Sequence, residues 1–412
     1  MFVGQIEEVG NVCLAAVGIC GPIVTLLSSF GTLVGIGGSI WLSMCLGQKN
    51  EKRASQILYN SFVMLVVLSI CLTLGFILLK HNLIYWFGGS DALYPYANTY
   101  LTIYTLGTFF ALMSIGLNYF ITGQGYATIA MLSVCIGAIT NIIFDFILIR
   151  TLKIGVAGAA IGTVVAQLLS CMFVLCFLRF KSKIKLHKEE LSIEKMKHIV
   201  KLGFSPFLII ASDSIILIVM NMMLQKYGGN MGDIYISAIT VAQSYFLLIT
   251  GPLLGISSGT QPIYAYHFGA QNLKKIKEAF KIVISFAFLF CLVMFIISMC
   301  YSNVFVAMFT NDAMTMPIAD RAIKIFCLGI LMMSIQYVLV DGITGLSNVK
   351  LSLFLSLNRK LMYLCCTCLL PVFLGVSNIF YAQPAADIYA SIVTAICFIK
   401  IIPSYLKSHG VQ

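Results

Sequence analysis

Asn141 and Asp145 stand four residues apart in the otherwise apolar stretch TNIIFDFILIR, so on a helix both project from one face. A carboxylate and an amide carbonyl placed side by side can hold one cation between their oxygens, and a protonatable aspartate serves a proton equally well. The plainer alternative is an Asp145 that only hydrogen-bonds a neighbouring helix. Asp213 and Asp341 fall about midway along similar apolar runs, and Asp387 lies near the start of another. Each is a candidate polar group for solute or ion handling, with interhelical bonding or interfacial exposure as the competing reading. Arg359 and Lys360 are adjacent, about ten residues or roughly 15 Å into their run. That depth is uncomfortable for snorkelling and predicts that they line a cavity.

No GxxxxGK[ST] phosphate loop, HExxH pair or Cys/His ligand cluster occurs in the 412 residues. The expectation is a protein that is not an enzyme, with no catalytic residues and no cofactor. Any work it does is then driven by a gradient, with Na+ or H+ as the coupling ion, or is passive.

The elements that must carry these residues are transmembrane helices. Hydrophobic residues make up 60% of the chain and charged residues 10%, far from the roughly one-quarter charged fraction of a soluble domain. Apolar blocks such as those from Ser61 to Leu79 and from Ile282 to Cys300 have the length of about 20 residues that spans a hydrocarbon core. Continuous apolar character argues against barrel strands, which alternate. Dividing the chain at polar and Gly/Pro turns predicts eleven spans, near 12–46, 54–80, 95–120, 126–150, 155–179, 199–226, 233–267, 276–302, 317–346, 350–376 and 381–406. The 14 cysteines fall mostly inside these runs and read as small lipid- or core-facing residues rather than a disulfide framework. The N-terminal MFVGQ lacks the basic start and apolar core of a signal peptide. Gly31, Gly35, Gly37 and Gly38 read as close-packing sites before hinges.

Sliding the chain on itself until Gly10 meets Gly232 also pairs Ala16 with Ala238, Gly37 with Gly259, Gly47 with Gly269, Asn50 with Asn272 and Lys52 with Lys274. Without a gap the same offset pairs Phe87 with Phe309, Pro95 with Pro317, Ala97 with Ala319, Leu106-Gly107 with Leu328-Gly329, and Ile121-Thr122-Gly123 with Ile343-Thr344-Gly345. Matches concentrated in Gly, Pro and Asn at turns mark a true duplication, as transporter folds often show. The predicted organisation is all-α and polytopic, with two pseudo-symmetric lobes. An N-terminal lobe covers 1–180, a basic linker 181–197 and a C-terminal lobe 198–412. The linker, KSKIKLHKEELSIEKMK, is expected to be an interfacial amphipathic helix. Gly232 follows a complete helix while its mate Gly10 follows nine residues. The lobes thus have five and six complete spans, and a first helix is expected upstream of Met1, through a start-site error or a true truncation.

The formal net charge of +11 does not gather on one nucleic-acid-binding face, because the basic residues lie in short connectors. Of the 26 Lys and Arg, alternation of sides puts eighteen with the linker and C-terminus and six opposite. By the positive-inside rule the linker and C-terminus are cytoplasmic, in a multi-pass protein of the cell (inner, cytoplasmic) membrane.

The blocks LAAVGICGPI after an opening FVG, GIGGSIWLSMCLGQKNEKRA, GISSGTQPIYAYHFGAQNLKKIKEA and TNIIFDFILIRTLKIGVAGAAIGTVVAQ, in that order, resemble the multidrug and toxic compound extrusion (MATE) family, in its branch of bacterial multidrug exporters. The resemblance covers essentially the whole chain. It implies two six-helix lobes around a central cavity and secondary active export of cationic amphiphilic compounds by antiport against Na+ or H+. The implied partners are small-molecule organic cations and the lipid bilayer, with no nucleic acid, and the implied state is a monomer. By motif, Asn141 and Asp145 resemble the family's first-lobe cation pair in its fifth helix, and Thr163 resembles a hydroxyl supplied by the sixth. A bound Na+ at Asn141, Asp145 and Thr163 is the one metal this implies. Phe146 stands where a proline often follows that aspartate, and the family's first-helix aspartate would lie just ahead of Met1. Asp213 falls close to a seventh-helix acid of some branches. The runner-up within transport is a flippase of a lipid-linked saccharide, and a non-functional truncated transporter is a further alternative.

Overall fold

A computed structural model describes residues 10–86, 93–307 and 314–408. The FVG motif and the Phe87/Phe309 pair lie outside the described residues. Among those described there is no strand. The long apolar runs fold as helices because each backbone group must find its partner inside its own segment where water is absent.

The chain divides into two compact units, Met1–Ala211 and Ser212–Gln412, and the division falls within one helix. The first unit holds α1 (Gly10–Gly47), α2 (Glu51–Trp86), α3 (Tyr94–Leu106), α4 (Thr108–Gly123), α5 (Ala127–Asp145), α6 (Val156–Phe180) and the start of α7 (Ile193–Gly228). The second holds the rest of α7, then α8 (Gly232–Gly259), α9 (Gln261–Gly269), α10 (Leu273–Ala307), α11 (Thr315–Cys327), α12 (Ile330–Gly345), α13 (Val349–Leu374) and α14 (Ala382–Ser408). Among the described residues, eight helical stretches are long and apolar enough to cross a bilayer, or ten when the bent pairs α3–α4 and α11–α12 each count as one span. α7 occupies the place of the remaining expected span.

The duplication is written into the backbone. α3 meets α4 at a 55° bend and α11 meets α12 at a 49° bend, both at a Leu-Gly step and at matching positions of the repeat. Lys49 (φ 59°) and Gln271 (φ 53°) carry the same left-handed conformation at that offset, as do Gly125 (φ 89°) and Ser347 (φ 64°). Asn50 Oδ1 accepts from Arg53 N at 3.0 Å, and Asn272 Oδ1 accepts from Lys275 N at 3.0 Å, so one side-chain cap starts α2 and α10 alike. A methyl on Gly123 would meet the carbonyl of Ser39 at 3.3 Å, and one on Gly345 the carbonyl of Gln261 at 2.7 Å, so the same close approach recurs. Past α5 and α13 the register shortens slightly, and Gly155 (φ 73°) matches Gly375 (φ 89°). The grouped glycines of α1 are packing sites: Gly35 lies against Tyr119 and Gly116, and Gly37 against Ile199 and Gly203.

The linker corrects one expectation. Residues 182–192 are not helical, and helix begins only at Ile193. The segment is an extended strap clipped to the first unit. Gln124 donates through Nε2 to Ile184 O at 3.3 Å and accepts from Ile184 N at 2.7 Å. Fully buried Asn60 donates through Nδ2 to Glu190 O and accepts from Ser192 N, each at 2.9 Å. Two side-chain amides thus supply the backbone partners that a helix would have supplied internally, and the strap's own Ile184 is buried.

Candidate functional site

In the first unit α5 packs along α6, and the three residues singled out by motif converge. Asn141 Nδ2 donates to Thr163 Oγ1 at 3.3 Å, and Thr163 Oγ1 donates to Ala159 O at 2.9 Å. With its nitrogen used in this way, Asn141 has its carbonyl oxygen to offer a cation. Asp145 Oδ1 lies against Gly162, where an added methyl would come within 2.5 Å of it. A side chain at 162 would push the carboxylate out of this position. That Oδ1 is buried and has no hydrogen-bond partner among the described residues. A buried acceptor without a donor costs free energy until a proton, cation or water reaches it. The phenol of Tyr100, from α3, lies close to both Thr163 and Asp145. Four residues further along α3 and α6, Gln167 Nε2 donates to Tyr104 OH at 3.2 Å while Gln167 Oε1 is buried without a partner among the described residues.

Directly after Asp145 the helix widens into a π turn, Phe146–Thr151. π turns interrupt helices mostly at functional positions. Here Phe146 replaces the expected proline and the departure from α geometry persists, through backbone bonding of Leu152 N to Ile147 O at 2.9 Å.

The second unit holds three polar clusters. Asp341 on α12 accepts from Ser257 Oγ at 2.5 Å and from Gln261 Nε2 at 2.8 Å, so both carboxylate oxygens are occupied. Arg359, on α13, is buried and donates through Nε to Asp387 Oδ1 at 2.8 Å and through Nη1 to Tyr337 OH at 3.2 Å. Gln383 Nε2 donates to the other Asp387 oxygen at 2.8 Å. Lys360 Nζ pairs with Asp213 Oδ1 of α7; the Lys360 side chain is 11% exposed and that of Asp213 60%.

The sequence places Arg359 and Lys360 together as cavity-lining groups, whereas the structure separates them. Arg359 is buried in an ion pair with Asp387 and a hydrogen bond to Tyr337, because a buried guanidinium is tolerated only when its charge is matched. Lys360 makes an ion pair with a half-open carboxylate. Asp387 is completely buried rather than exposed, because Arg359 from α13 and Gln383 one turn earlier on α14 cover both carboxylate oxygens. Sequence reasoning missed Gly162, Tyr100 and the pairing of Asp387 with Arg359. One signal was present: Gln383 and Asp387, like Asn141 and Asp145, are a polar pair four residues apart in an apolar run.

Membrane-length helices in two repeated units, with carboxylates held inside the spans, define a polytopic membrane protein. The MatE family model matches residues 1–147 and 210–369, and the chain belongs to that family, as its sequence blocks imply. It is similar to the multidrug export protein MepA of Staphylococcus haemolyticus, with 26% identity over 82% of this chain and 74% of the relative. MepA of Staphylococcus aureus is 24% identical over the same shares. In fold it matches a crystal structure of MATE in the bent conformation, at TM-score 0.92 and 22% identity, covering 99% of this chain and 92% of that one. It also matches an outward-facing multidrug resistance MATE family transporter of the MOP superfamily, at TM-score 0.91 and 22% identity, covering 99% and 91%.

Proposed function

We propose that this protein is a secondary active multidrug efflux transporter that exports cationic amphiphilic compounds by antiport against Na+ or H+. The observation that carries the reading is Asp145 Oδ1, buried with no hydrogen-bond donor among the described residues. Together with the Asn141 carbonyl and the Thr163 hydroxyl it makes an all-oxygen donor set, which suits a small hard cation or a proton. In this reading the coupling ion settles on Asp145, neutralises it, and leaves when the site opens to the other side. The relatives that match are multidrug export proteins by name, which supports drug-like substrates. The linker and C-terminus are cytoplasmic in this scheme, the protein resides in the cell membrane, and it works as a monomer.

The test is export from proteoliposomes under an imposed Na+ or H+ gradient. Asp145→Asn keeps size and removes charge, so gradient-driven export should fall about 100-fold, the scale of a coupling free energy between sites. Drug binding and membrane abundance should persist. Wild-type export from a well-inserted Asp145→Asn protein would refute the assignment and turn attention to Asp213 and Asp341.

A further inference from the structure

The clipped strap turns a hydrophilic linker into a built surface. Residues 49–53 and 181–201 carry ten Lys or Arg against four Glu, and they come together at one end of the first unit. Lys183 Nζ pairs with Glu51 at 2.9 Å, the Ser55 hydroxyl meets His187 Nε2 at 3.3 Å, and Lys195 Nζ donates to Gln56 Oε1 at 2.6 Å. The Arg53 guanidinium lies 5.2 Å over the Trp41 ring, which itself packs on His198 at 4.4 Å. Lys49, Lys52, Lys181, Lys185, Lys188 and Lys197 are exposed on this surface. Beside them Leu191 (54%), Ile193 (71%) and Phe180 (69%) present apolar side chains to the outside.

Basic side chains in excess, fixed by backbone clips and flanked by exposed apolar residues at the ends of membrane-spanning helices, match one chemistry on both counts. We propose that this surface binds anionic phospholipid: the lysines take the headgroup phosphates while Leu191, Ile193 and Phe180 sit among the outer acyl carbons. A free anion would need the charges and not the apolar flank. A disordered polybasic linker would lose conformational entropy on settling against the headgroups, whereas the clipped strap is ordered beforehand. Gln124 and Asn60 therefore act as positioning residues for the lipid site.

The experiment titrates the full chain in detergent with phosphatidylglycerol or phosphatidylcholine and reads bound lipid by native mass spectrometry. Phosphatidylglycerol should bind at least about tenfold more tightly than phosphatidylcholine, and Lys181→Gln/Lys185→Gln/Lys188→Gln should remove most of that preference. Gln124→Leu, which releases the strap and leaves every charge in place, should weaken phosphatidylglycerol binding several-fold. Neutralising Lys274, Lys275 and Lys277 at the repeat-related turn should leave it unchanged. Equal binding of the two lipids by the parent protein overturns the proposal whatever the variants do. So does an equal loss from the Lys274/Lys275/Lys277 control, or full competition by inorganic phosphate, which would mark a simple anion site. If the triple strap variant fails to fold, Lys185→Gln/Lys188→Gln is read in its place, and an undiminished preference there counts against the surface.

Discussion

Where the first unit has Gly137 on α5 facing α6 and Gln167 on α6, the second unit has Arg359 and Asp387 at the repeat-related positions. Where the first has Gly35 against the Tyr119 ring, the second has Ser257 bonded to Asp341. Charge in the second unit thus stands in compensated sets: Arg359 with Asp387, Lys360 with Asp213, and Asp341 with two donors. The first unit does the reverse. Its Asp145 stands at the register of Thr367, whose hydroxyl simply donates back to Tyr363 O at 2.8 Å. On a shared skeleton, the satisfied carboxylates act as struts, and the unsatisfied one is where we propose that the coupling ion settles.

The sharpest way to break this comparison is to unbalance a strut. Arg359→Met leaves Asp387 buried with only Gln383 to support it, and should cost about 3–5 kcal/mol, seen as a large fall in melting temperature and membrane abundance. Arg359→Met combined with Asp387→Leu should recover most of it, because removing both charges also removes the desolvation penalty of each. An unchanged melting temperature in the single variant would show that the pair bears no load.

Asp341→Asn comes next. The amide cannot accept from both Ser257 and Gln261 as the carboxylate does, so stability should drop by about 1–3 kcal/mol. Gradient-driven export should fall less than for Asp145→Asn, a ranking read from proteoliposome rates normalised to inserted protein.

Asp145→Asn should have the smallest effect on stability, within about 1 kcal/mol, because no hydrogen bond to Oδ1 is lost. Thermal melts of the three variants side by side decide it. A melting loss for Asp145→Asn as large as that of Arg359→Met would make Asp145 a strut too and erase the contrast.

Much of the architecture is readable in the sequence because membrane helices are set by local composition. The spans, the duplication and its turn residues all follow from apolar run length and the position of Gly, Pro and Asn. Asn141, Asp145 and Thr163 can be singled out from the sequence because spacing within a helix and a matching motif mark them. What escapes depends on which helices touch. Arg359 and Asp387 lie on different helices, and only packing of α13 on α14 shows that they neutralise each other. The π turn after Asp145 follows from no single residue. The linker misleads in a different way: Ile184, Leu186, Leu191, Ile193 and Met196 have spacing compatible with an amphipathic helix, but the amides of Gln124 and Asn60 offer its backbone other partners.

Those amides bear on where the polypeptide can be divided. A protein of two repeated units invites co-expression of its halves as separate fragments, and the hydrophilic segment looks like the natural seam. Severing the chain before Ile184 would strip Gln124 and Asn60 of their partners, at about 1–3 kcal/mol for each polar group left buried and unmatched. The first fragment has to keep its strap through Ser192 to be self-sufficient. The most polar stretch of the chain is part of the first half's finished surface, and a split placed inside it would cut through one module rather than between two.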